Sequence, residues 1–297
     1  MSSQRVAIVT DSTADLPVDL ARERGITVVP LTVRLDGHSY LDGEEIGADE
    51  FYLKLAGASG FPSTSQPSPG RFAEAYKALL QDYDEVVSLH ISAKLSGTYA
   101  AAVQGAQLVD RERIRVVDSE AVSMWLALLA LAAGDVAKRG GDAVEVVETV
   151  QRVSRQTVCY FTVSTLEFLH RGGRIGRASA LLGSVLQIKP VLCIRDGEVT
   201  PLERVRTLER ATGRIIELAR DNDRGKGLCV SVGHAAAEAA AFGIARRLED
   251  VAESLVVQPL GPVVGAHAGP GTVGIACYPA ELFPLGLKLA GGVGAAR

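Results

Sequence analysis

Val86–Gln107, VVSLHISAKLSGTYAAAVQGAQ, is the stretch whose reading decides the fold. The apolar, β-prone run Val86–Ile91 ends in a short polar loop. The loop closes with Leu95-Ser96-Gly97-Thr98, and an Ala-rich helix follows. The first N–H groups of a helix have no partner inside it, and the helix dipole adds partial positive charge at that end. Ser96 and Thr98 supply hydroxyls there, and Gly97 lets a ligand approach the backbone. Such an end accepts an anion or a carboxylate. The plainer reading is that Ser96 only caps the helix.

Working outward, strands and helices alternate. Upstream, Arg5–Thr10 is an apolar strand, and a helix opened by Pro17 stops at Gly25. Ile26–Leu35 is β-rich and turns at Asp36-Gly37 into Ser39–Leu41. Ala48–Ala56 and Arg71–Gln81 are helical, with the turn-rich loop Gly57–Gly70 between them. Downstream, strand Ile114–Asp118 precedes a buried helix, Val122–Arg139, and an amphipathic one, Asp142–Arg155. The pattern then restarts with strand Thr157–Ser164, a short helix Thr165–His170 and a helical Ala178–Leu186. A hairpin follows across Asp196-Gly197, then helix Thr207–Asn222, strand Gly227–Gly233, helix Ala235–Leu248 and strand Ser254–Pro259. A glycine-rich turn, Gly261–Gly271, leads to a last strand, Thr272–Cys277. Alternation of this kind predicts α/β architecture with mostly parallel sheets flanked by helices. The expected division is an N-terminal domain over 1–156, a C-terminal domain over 157–290 and a frayed tail over 291–297.

Composition narrows the function. The chain has 297 residues, 47% of them hydrophobic, enough for a substantial core, and a net charge of −4. No basic stripe interleaved with aromatics is present, which argues against nucleic acid. The start shows no signal-peptide pattern, and the most apolar helix is too short for a membrane span. Cys159, Cys193, Cys229 and Cys277 each sit alone in an apolar run, as reduced core residues of a cytoplasmic protein do. No Walker A, GxGxxG or HExxH motif occurs, so neither a nucleotide nor a metal site is expected.

Three further clusters carry chemistry. Ser63-Thr64-Ser65 on a proline-bounded loop offers hydroxyls to a carboxylate or phosphate, or is simple turn chemistry. His267 lies among glycines that bring the backbone close and expose the ring. Arg171, Arg174 and Arg177 alternate with glycines in a turn able to bind phosphate, dock a protein or merely face solvent. Ser96, His267 and Asp11 formally compose a hydrolase triad, but no G-x-S-x-G elbow supports it. Three readings stay open: a lipid carrier, an autonomous acyl hydrolase using Ser96 and His267, and a lipid-free anion-binding regulatory module.

Taken together, the segments resemble the DegV family. The matching stretches are Val9–Leu16, Thr64–Pro67, Ser96–Tyr99, Val117–Ser119, Leu166–Leu169 before Arg171–Ile175, Lys189-Pro190, and His267 with its glycines. They run in order over nearly the whole chain. One departure is Ala93, where members often carry a serine or another polar residue. The resemblance implies a two-domain α/β protein with a ligand tunnel between the domains, holding one long-chain fatty acid such as palmitate. It implies that Thr64 and Ser96 bind the carboxyl with His267 alongside; Ser63, Ser65 and Gly97 complete the expected set. Several members are the fatty-acid-binding (FakB) subunits of bacterial fatty acid kinase. Arg171 and Arg174 would then face a separate ATP-binding subunit similar to dihydroxyacetone kinases, which forms an acyl phosphate. The carrier itself would be non-catalytic and without cofactor, with transient membrane contact at most.

Overall fold

A computed structural model describes residues 5–182 and 188–287. In the first half, β1 (Val6–Asp11) leads through a short 3-10 turn to α1 (Val18–Glu23) and β2 (Ile26–Val29). Next come β3 (Thr32–Leu35), β4 (His38–Leu41), α2 (Ala48–Gly57), β5 (Ser63–Ser65), α3 (Pro69–Leu79), β6 (Glu85–His90), α4 (Thr98–Gln107) and β7 (Ile114–Asp118). Helices α5 (Met124–Lys138) and α6 (Ala143–Ser154) follow. The second half has β8 (Val158–Thr162), α7 (Glu167–Arg171), β9 (Lys189–Arg195), β10 (Glu198–Val205) and α8 (Leu208–Arg220). It ends with β11 (Leu228–His234), α9 (Glu238–Arg246), β12 (Ala252–Pro259), α10 (Pro262–Ala268) and β13 (Val273–Pro279).

The first sheet has the order β2-β1-β6-β7 and is parallel throughout. From β1 the chain moves to one side to make β2, then returns to the other side to make β6. The crevice beyond the carboxyl ends of β1 and β6 is therefore the switch point at which open α/β sheets hold ligands. The loops after β1 and β6, including Thr13 and Ser96, meet there.

The second sheet corrects the expectation of mostly parallel pairing. Its order is β10-β9-β8-β13-β11-β12, and only β11 and β12 run parallel. The tight Asp196-Gly197 turn, with both residues at positive φ, makes β9 and β10 antiparallel. The last strand, β13, then inserts antiparallel between β8 and β11. Alternation along the chain does not encode such a late insertion.

Two local expectations also change. Gly57–Gly70 is not all loop: Ser63–Ser65 forms β5, pairing with β3 in a small antiparallel sheet, β4-β3-β5. Gly261–Gly271 contains α10, with Pro262 in its first turn and Gly269 ending it at φ 77°. The helix forms because Val263 and Ala266 pack on Leu31, Val33 and Phe51 of the first half. Tertiary burial outweighs the poor helix propensity of its glycines.

Helix α5 lies between the two larger sheets and is buried on nearly all sides. One hydrophobic core runs through it, joining Ile8 and Leu89 of the first sheet to Phe161 and Leu192 of the second. The 3-10 turn Gly176–Leu181 covers the start of the expected helix Ala178–Leu186. That helix from 183 on, and the 291–297 tail, lie outside the described residues. All four cysteines are free and buried.

Candidate functional site

Four sequence-predicted residues converge on one cavity. It opens at the switch point and is lined by Thr64, Ser96, Arg174 and His267 together with apolar side chains from both halves, among them Leu95, Val122, Met124, Phe161, Ile194 and Val263. The space open to the centre of a water molecule is about 90 Å³. Most walls come from core residues, so the cavity is apolar with one polar end.

The polar end follows from local structure. Alternation along β5 turns Thr64 inward and leaves Ser63 and Ser65 exposed on the other face. Of the three hydroxyls, only Thr64 lines the cavity. Its Oγ1 lies 2.8 Å from His267 Nε2, a hydrogen bond joining residues 203 positions apart. Ser96 both caps and lines: its Oγ accepts the Thr98 N–H at 3.3 Å and sits 2.8 Å from Thr98 Oγ1. Its own proton is free to point into the cavity whenever Thr98 donates. Gly97 lies against the end of the exposed Gln66 side chain, whose Oε1 would fall 2.2 Å from a Cβ at that position.

The two arginines diverge. Arg174 lines the cavity and is braced by donating to the Leu95 carbonyl at 2.9 Å and the Gly172 carbonyl at 2.8 Å. Arg171 is exposed, pairs with Glu167 at 2.9 Å and lies 4.1 Å over the Phe61 ring. Arg177 pairs with Glu198 and Asp196 on the surface.

Burial, and then the nearby Arg174 charge, push His267 down to about 4. The ring is therefore neutral at pH 7. Its Nδ1 is buried beside the Gly172 backbone and has no hydrogen-bond partner among the described residues. Among the described residues, no carboxylate hydrogen-bonds the ring. The acid proposed for a triad is engaged elsewhere: Asp11 Oδ2 lies 2.9 Å from His90 Nδ1 in the buried interior. Among the described residues, no cluster of metal-ligating side chains occurs.

The sequence reading missed Thr13, Ser123 and Thr272, which also line the cavity. Their hydroxyls are committed inward, donating to Asp11, Asp15 and the Ala268 and Gly269 carbonyls respectively. Only Thr13 carried a signal, being a hydroxyl two residues after a strand-ending aspartate.

The architecture is thus that of an α/β protein with a mostly apolar cavity and a polar end. The model for "Uncharacterised protein, DegV family" matches residues 5–280, and the chain belongs to the DegV family. A DegV domain-containing protein of Streptomyces coelicolor is 43% identical over 277 residues, covering 92% of this chain and 98% of the relative. A Thermus thermophilus structure, described as fatty acid binding of a DegV family protein, is 39% identical with a TM-score of 0.88, covering 93% of this chain and 99% of its own. Bacillus subtilis DegV, described as a fatty acid binding protein, is 32% identical with a TM-score of 0.84, covering 93% of this chain and 100% of its own. A stearic acid-binding protein of Eubacterium ventriosum is 26% identical with a TM-score of 0.85, covering 92% and 98%. Among the described residues, no helix is long and apolar enough to cross a membrane.

Proposed function

We propose that this protein holds one long-chain fatty acid, with the carboxyl at Thr64, Ser96, His267 and Arg174 and the acyl chain along the apolar walls. The observation that carries this reading is the meeting of those four polar residues in one mostly apolar cavity. A buried carboxylate is costly unless it is hydrogen-bonded. Hydroxyls, a neutral imidazole and one braced guanidinium offset that cost. Each buried CH₂ contributes about 0.8 kcal/mol, so about fifteen of them approach 12 kcal/mol before ordering costs. The fatty-acid-binding relatives support the same ligand class. The units 1–156 and 157–290 would grip the ligand between them, as a carrier without catalysis or cofactor. The hydrolase reading lacks an acid behind His267, which disfavours it. Native mass spectrometry of the purified protein is expected to find a co-purified fatty acid mass. An empty protein whose acyl-ester turnover is abolished by Ser96→Ala would replace the carrier with the hydrolase.

The finer proposal is presentation of the carboxyl to an ATP-dependent kinase subunit that forms an acyl phosphate. Arg171, exposed and three residues before Arg174, would dock an acidic partner surface or steady the arriving phosphoryl group. Charge reversal at this site, Arg171→Glu, should leave fatty acid titrations nearly unchanged and lower acyl phosphate formation with kinase and ATP. Loss of fatty acid affinity would place Arg171 in the headgroup site; no effect on either measurement would leave it a solvated side chain.

A further inference from the structure

Met124, the first residue of α5, is buried and lines the cavity. The end of its side chain rests on two glycines, Gly233 of β11 and Gly274 of β13. These two are register partners in adjacent antiparallel strands. A Cβ on Gly233 would fall 2.6 Å from Met124 Sδ and 2.7 Å from its Cγ. A Cβ on Gly274 would fall 2.9 Å from Met124 Cε and 3.1 Å from Sδ. Any side chain at Gly233 would therefore force the thioether to move.

The backbone does not demand glycine at either position. Both lie inside buried strands, and neither has a positive φ. Glycine weakens a strand, because it loses more entropy on folding and packs no side chain. Two of them side by side in a buried ladder have a different use, which is space for the end of Met124. Methionine suits such a notch, being unbranched and able to follow an irregular surface. Two other cavity-lining residues bound it: Leu260 Cδ1 would lie 2.8 Å from a Cβ on Gly233, and Phe161 Cβ 2.9 Å from one on Gly274.

We infer that the Gly233–Gly274 notch holds Met124 back from the cavity, and that Met124 thereby sets how long an acyl chain this protein accepts. The inference rests on the fatty-acid reading above. Protein interiors leave few voids, so a displaced side chain moves into the free volume it already borders. For Met124 that volume is the cavity. Each ligand methylene that no longer fits then costs about fourfold in affinity. Gly233→Ala is the sharper probe, since the atoms nearest its new methyl belong to the movable ends of Met124 and Leu260. Gly274→Ala also meets Phe161 Cβ, next to the backbone of β8, and so strains the sheet itself.

The test offers the delipidated full chain an equimolar mixture of decanoate, tetradecanoate and octadecanoate and reads the bound fractions by native mass spectrometry. In Gly233→Ala the bound octadecanoate-to-decanoate ratio is expected to fall about 4- to 15-fold below wild type, the worth of one or two methylenes. Met124→Ala removes three wall atoms and should raise the ratio by about twofold or more. In the Met124→Ala background, Gly233→Ala should shift the ratio by less than about twofold, because the added methyl fills space the thioether has left. That contrast separates displacement of Met124 from a general loosening of the sheet. A folded Gly233→Ala with the wild-type ratio overturns the inference, as does a fall that persists undiminished in the Met124→Ala background. Should Gly233→Ala not fold, a Met124→Ala ratio equal to wild type overturns it. If wild type binds none of the three acids, the fatty-acid reading fails and this inference with it. If wild type binds them and the ratio does not respond, only the role of Met124 fails.

Discussion

Asp11→Ala is expected to destabilise the fold by about 3–5 kcal/mol, the cost of removing one partner from a buried charge-bearing network. Asp11 is fully buried at the end of β1. It accepts from the Thr13 amide at 3.1 Å, the Thr13 hydroxyl at 2.5 Å and the Ile91 amide at 3.0 Å, and pairs with His90 at 2.9 Å. The chain continues inward: Ser88 Oγ lies 2.7 Å from His90 Nε2, and the Tyr76 hydroxyl donates to Ser88 at 2.9 Å. Read in one direction, Tyr76 donates to Ser88, Ser88 to His90 Nε2, and His90 Nδ1–H to Asp11. Ser88, His90 and Asp11 thus have the connectivity of a hydrolase triad, but all three are sealed from solvent. Their work is structural: they tie the loops after β1 and β6 together beneath the cavity. Alanine at Asp11 strands several buried donors at once, whereas Ser88→Ala strands the Tyr76 hydroxyl and His90 Nε2 and should cost less, about 1–3 kcal/mol. Urea denaturation of both variants checks the contrast. Equal losses would show that Asp11 does not anchor the network.

The second large effect is expected at the polar end. Thr64→Ala and Ser96→Ala should each weaken fatty acid binding by about 1–3 kcal/mol, the penalty for leaving a buried polar group unsatisfied. That corresponds to about 5- to 150-fold in Kd. Thr64→Ala also strips His267 Nε2 of its one hydrogen bond among the described residues, so it should be the costlier change. The double variant should lose less than the sum, because both hydroxyls serve one carboxyl. Neither residue is a core side chain, so the melting temperatures should stay within a few degrees of wild type, about 1 kcal/mol or less. Calorimetry with decanoate at pH 6 measures the effect. Unchanged affinity in both single variants would remove the headgroup site from this end of the cavity.

Much of this site was readable from residue order. Ser96 and Gly97 follow an apolar run and precede an Ala-rich helix, so strand, loop and helix start are encoded within about a dozen residues. The same local logic exposed β1 and the hairpin at Asp196-Gly197. It failed where neighbours in space outweigh neighbours in sequence. Ser63–Ser65 looks like a loop because its prolines and serines are turn-formers, yet an open edge of β3 captures it as a strand. That capture selects Thr64 over Ser63 and Ser65, a choice that three adjacent hydroxyls do not reveal.

By itself, the amino-acid sequence determined the α/β class, the parallel first sheet, the absence of nucleotide and metal motifs, and the hydroxyls of Thr64 and Ser96 as candidates. These depend on periodicity and on chemistry within a few residues. The tertiary structure alone decided that α10 exists, that His267 reaches Thr64, that Arg174 turns inward while Arg171 stays out, and that Asp11 serves His90. The physical reason is common to all four. Each depends on burial and hydrogen bonds between segments far apart in the chain, and such contacts form only once α5 has brought the two sheets together.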